Sequence, residues 1–128
     1  MKSLPAFAID FSISQVQAQG AEPMPCVDSA NTIVKNICLS KSVEALDKDI
    51  SAQVNRFAAI LHKQDTQDPV IRLAPAFASA QAKWQQFREA ECNFRSLSYG
   101  SGTGAPAEWS FCKIEHGRLR LDYLKGLL

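Results

Sequence analysis

Leu39, Val43, Leu46, Ile50, Val54, Phe57 and Leu61 recur at intervals of three and four residues. Nothing else in the chain restricts its fold so strongly, because this spacing lays an apolar stripe along one face of an α-helix about six turns long. Two further stripes follow. Phe77, Ala80, Trp84, Phe87 and Arg88 share a second helical face, and Trp109, Cys112, His116, Leu119, Tyr123 and Leu127 share a third. No short segment alternates apolar and polar residues with β-branched enrichment, as a half-buried strand would. The spacing predicts an all-α fold, an antiparallel bundle of three main helices. At 128 residues the chain suits one domain.

The helix boundaries follow from caps and breakers. Glu22-Pro-Met-Pro25 is an extended entry, since proline lacks an N–H and restricts its predecessor. Asp28 or Ser29 can cap a short leading helix through about Cys38. Its Ile33, Val34 and Ile37 point roughly opposite to the Leu39–Leu61 stripe, and a straight helix cannot bury both. A bend is therefore expected between Cys38 and Ser42, with Ser40 or Ser42 as the new cap and a second helix running to about Lys63. Asp68-Pro69 is a start signal, followed by a short turn to Leu73 and a main helix from Pro75 to about Leu97. Ser98 to Gly104 holds three glycines and forms a loop, and Pro106 opens the last helix.

The residues able to carry chemistry read as structural. Trp84 lies midway along its stripe and belongs to the core. Arg88 and Glu91, three apart among large aromatics, can form an ion pair across one turn, as a buried charge requires. Asp47 lies near the first stripe and is expected to pair with Arg88 or Arg118. His116 reads as a core histidine with a hydrogen-bond partner, and His62 as a surface residue near a helix end. No nucleophile and base stand together as covalent catalysis requires, so neither an enzyme nor a cofactor is expected.

A net charge of +1 gives no reason to expect nucleic acid. No apolar run approaches the roughly 20 residues of a membrane span. Cys26, Cys38, Cys92 and Cys112 contain no C-x-x-C pair, and neither histidine sits at ligand spacing from them, so no metal site is expected. Two disulfides in an oxidising compartment are the better reading. In an antiparallel bundle Cys38, Cys92 and Cys112 gather near one end, where Cys26 enters. Cys26 to Cys38 would be too far apart along an unbroken helix, although a bend would bring them nearer. Bridges between helices are favoured, but three connectivities stay open. Lys2, an apolar patch over residues 4–9 interrupted by Asp10, and small residues near position 20 resemble a secretory signal. Residues 1–21 are assigned to a signal peptide or leader, and 22–128 to the helical domain.

The order Cys26-x11-Cys38, Leu46-Asp47, Gln81-x-x-Trp84-x-x-Phe87-Arg88-Glu89-Ala90-x-Cys92, a glycine-rich Gly100 to Gly104, Cys112 and Arg118 resembles the LprI-like lysozyme inhibitor family of small exported bacterial proteins. Phe87 and Glu89 stand where members often carry Tyr and Asp. The resemblance implies a periplasmic or secreted protein that binds and inhibits a lysozyme-type muramidase. Plugging a cleft whose working groups are carboxylates suits a protruding loop. Here Tyr99, Gly100, Ser101, Gly102 and Thr103 are the candidate contact, with Trp109 flanking and Arg95 nearby to face acidic groups. The alternatives are an envelope or immunity-type binding protein for another toxin, or a small envelope hydrolase using Glu91 or Asp47 with His116.

Overall fold

The computed structural model describes residues 22–68 and 70–128. The expected leader, residues 1–21, and Pro69 lie outside them. Three helices follow in order: α1 Thr32–Gln67, α2 Leu73–Leu97 and α3 Ala105–Leu127. They form an all-α antiparallel bundle, in which α3 packs most extensively on α1 and also lies against α2.

α1 begins where Asn31 accepts the Val34 N–H at 2.9 Å, so Asn31 is the cap rather than Asp28 or Ser29. The expected bend at residues 38–42 is absent. Ser42 donates to the Cys38 carbonyl one turn back, and α1 runs on unbroken. The conflict between the two stripes is resolved by exposure: Ile33 is 72% exposed, and Val34 and Ile37 also face outward. The residues of the expected leading helix are the first turns of α1.

α2 starts at Leu73, two residues before Pro75, and its cap comes from elsewhere. The Asp65 carboxylate, in the last turn of α1, accepts the Leu73 N–H at 2.9 Å and the Ala74 N–H at 2.8 Å. These donors, Ala74 first, hold the Asp65 carboxyl below its ordinary range. A carboxyl with a lowered folded pKa stabilises the fold above its unfolded value, about 3.9, and loses that contribution as pH falls through the folded value. Asp65→Ala should therefore lower the melting temperature at pH 7, and the gap from wild type should narrow towards pH 2. An equal gap at both pH values would contradict this capping role.

The core has two parts. Leu39, Val43 and Ile114 form one at the glycine-loop end, joined by Met24, Cys26 and Phe111. Ile50, Leu121 and Leu124 form the other, with Val54, Phe77, Trp84 and Leu127 against them. Leu46 touches both. The α1 stripe is buried as its spacing requires, but α2 and α3 are rotated from the expected faces. In α2 the buried line runs through Ala74, Gln81, Arg88 and Cys92, while Ala80 and Phe87 are exposed. In α3 it runs through Ser110, Ile114, Gly117, Leu121 and Leu124, leaving Leu119 and Tyr123 exposed.

Both disulfides form and no described cysteine is free. Cys92–Cys112 joins α2 to α3, with Cα atoms 5.4 Å apart. Cys26–Cys38 corrects the preference for bridges between helices, since it ties the entry segment to α1 across 6.0 Å. Cys26 precedes the helix, in a turn with φ 68°, and its carbonyl accepts the Ser29 N–H and hydroxyl. The chain doubles back there, so the two cysteines are not spaced along a helix.

Candidate functional site

Arg88 is a buried cation with every guanidinium nitrogen engaged. Its side chain is 5% exposed and donates from Nη1 to Asp47 Oδ1 at 2.8 Å. Nε and Nη2 both donate to the Lys113 carbonyl, at 3.1 and 2.6 Å. The guanidinium also lies 5.1 Å from the Trp84 ring centre. Arg88 thus reaches Asp47 and α3, not Glu91 one turn away as the helical spacing suggested. Trp84 is half-buried rather than central, covered by guanidinium as well as by apolar side chains.

A second cation repeats the pattern. Lys113, buried on α3, donates to Glu89 at 2.7 Å and lies 4.7 Å over the Trp109 ring. In both pairs the cation is inside and the carboxylate outside: the Asp47 side chain is 45% exposed and that of Glu89 60%. Each carboxylate is paired with the cation beneath it.

Gly117 makes room for this joint. A Cβ there would stand 2.6 Å from Leu46 Cδ2 and 2.8 Å from Arg88 Nη2. Both atoms are held, Leu46 between the core clusters and Arg88 by its hydrogen bonds. Gly117→Ala is therefore expected to cost about 1–3 kcal/mol through overpacking, despite the helix propensity it gains. The denaturant midpoint measures this, and a stabilised variant would show that the joint has slack. Sequence reasoning missed both Gly117 and Lys113. A glycine in the middle of a helical stretch was the available signal for the first; a lysine carries none.

The candidate loop residues are close together, but Arg95 and Tyr99 are engaged by neighbours in α3 and at its start. Arg95 bonds Glu108 at 2.6 Å and Glu115 at 2.7 Å, and these carboxylates, Glu115 first, raise its pKa. It is an internal clasp between α2 and α3. The exposed Tyr99 lays its ring against Gly104, where a Cβ would stand 3.1 Å from it, and its hydroxyl is 3.5 Å from Glu108. Gly100 adopts φ +62°, open to glycine at little cost. Ser101, Gly102 and Thr103 are exposed at the tip. Arg118 goes to neither Asp47 nor the core. It holds the entry segment through Glu22 Oε1 at 3.5 Å and the carbonyls of Glu22 and Pro23. His116 meets Phe87 edge to face at 5.5 Å. Among the described residues, no three His, Cys, Asp or Glu side chains converge as a metal site needs.

A family model described as "Lysozyme inhibitor LprI" matches residues 26–124. The chain belongs to this family. No curated protein and no solved structure matches it. The LprI span opens at the first bridging cysteine and closes at Leu124, fully buried near the end of α3. The motifs that carried the resemblance now have physical roles. Leu46 bridges the two core clusters, Asp47 anchors Arg88, Trp84 stacks on that guanidinium, and the four cysteines close both bridges.

Proposed function

We propose that this LprI protein binds and inhibits a lysozyme-type muramidase in the periplasm or outside the cell, and turns over nothing itself. The observation that carries the reading is the family match over residues 26–124. Two closed disulfides support an oxidising compartment. None of the described helices is long and apolar enough to cross a membrane. The internal pairing of Asp47, Glu89 and Arg95 supports a rigid binding scaffold over a catalyst, because rigidity limits the entropy lost on association. Purified, oxidised protein should slow muramidase-driven lysis of cell walls in proportion to its molar ratio to the enzyme. Unchanged lysis at a tenfold molar excess would sink the proposal. A contact through the glycine loop has a separate signature, a tenfold or greater loss of inhibition on Tyr99→Ala with helical content intact.

A further inference from the structure

Arg120 differs from the other half-buried and buried arginines among the described residues. Arg88 has Asp47, Arg95 has Glu108 and Glu115, and Arg118 has Glu22. Arg120 has no carboxylate partner among the described residues. Its Nε donates to the Gln81 side-chain oxygen at 2.9 Å, and its guanidinium lies between two rings, 5.6 Å from Trp84 and 5.3 Å from Tyr123. A neutral amide and two π faces hold this cation in place without cancelling its charge. Burial lowers its pKa, in the direction expected of a charge lacking a counter-ion.

Tyr123 connects the cation to a groove. It is 57% exposed and, with Phe57, Leu61, Leu73, Phe77 and Leu127, lines an open apolar groove of about 550 Å³. All three helices contribute to it, at the end away from the glycine loop. Tyr123 lines the recess and Arg120 adjoins it through that ring, and tyrosine and arginine are among the residues that concentrate binding energy in protein interfaces.

We propose that this end is the docking surface for a protein presenting a carboxylate beside an apolar side chain, with Arg120 taking the carboxylate and the Phe57–Phe77–Tyr123 groove taking the apolar group. The inference rests on the inhibitory reading above and names its surface. A muramidase cleft has the matching chemistry, since glycoside hydrolysis uses a pair of carboxyl groups and an acid is kept protonated by apolar surroundings. The glycine-loop end offers the reverse, an arginine already bound by two carboxylates.

The test compares wild type with Arg120→Gln, Arg120→Lys and Tyr123→Ala in the muramidase assay, with Arg56→Gln on the exposed face of α1 as a charge-matched control. Circular dichroism and melting temperature report folding. Arg120→Gln should raise the inhibition constant tenfold or more and Tyr123→Ala fivefold or more. Arg120→Lys should fall between wild type and Arg120→Gln, and Arg56→Gln within twofold of wild type. Inhibition by folded Arg120→Gln and Tyr123→Ala at wild-type strength overturns the surface, as does loss on Tyr99→Ala alone, and both leave the inhibitory function standing. If wild type itself does not inhibit, that function fails, and a small probe decides the surface. N-acetylphenylalanine as its carboxylate, and not its primary amide, should then shift the Trp84 indole N–H resonance at millimolar concentration, and Arg120→Gln should abolish the shift. No shift from the carboxylate would overturn the surface as well.

Discussion

Replacing Cys92 and Cys112 together with alanine is expected to lower the unfolding free energy by about 3 kcal/mol. The bridge closes a loop with a sequence separation of 20, and cross-linking such a loop removes that order of entropy from the unfolded chain. Both sulfurs are fully buried, so the alanine pair also leaves a small cavity. A domain of this size has roughly 5–15 kcal/mol in all, so the variant should unfold at a clearly lower denaturant concentration. Wild type unfolded under reducing conditions should show a similar loss. A change below about 1 kcal/mol would mean that the Arg95 clasp on Glu108 and Glu115 already holds α2 and α3 together without the bridge.

Arg88→Ala is expected to cost a comparable amount, about 2–5 kcal/mol, as truncating a long buried side chain does. It removes the Asp47 ion pair and both side-chain bonds to the Lys113 carbonyl, which keeps only its partner within the helix. It also uncovers one side of Trp84. Arg88→Met should be milder, because an apolar chain of similar length fills the space and needs no counter-ion, and replacing buried ion pairs with apolar groups is often near neutral. Asp47→Asn should be milder still, since Asp47 is partly solvated and the Lys113 carbonyl continues to accept. Urea denaturation of the three variants gives the order, and an Arg88→Ala loss below 1 kcal/mol would refute the account of the joint.

The helices were legible in the sequence because each carries a stripe of its own. α1 shows this best: it meets its partners along one side, and its Leu39–Leu61 stripe is the buried line. The predicted bend failed for a physical reason. Periodicity says which residues share a face, but not whether that face is covered, and Ile33, Val34 and Ile37 are left exposed. α3 misled in another way. It packs against both neighbours, so its buried arc is wide and takes in Ser110, Lys113 and Gly117 beside Ile114 and Leu121. A single stripe through Trp109 and Tyr123 was too narrow a description. In α2 the polar residues Gln81 and Arg88 hold core positions through partners on other helices, which no local pattern reveals. For the same reason Arg95 looked free in sequence and is doubly paired in space.

The connectivity of the bridges has a consequence for how the chain matures. Each bond joins consecutive cysteines, Cys26 to Cys38 and Cys92 to Cys112. In a chain delivered N-terminus first to an oxidant, the first two thiols meet before the third arrives, and the last two are then each other's remaining partners. Short loops also close at the least entropic cost. Order of emergence and proximity along the chain therefore favour the same pairing.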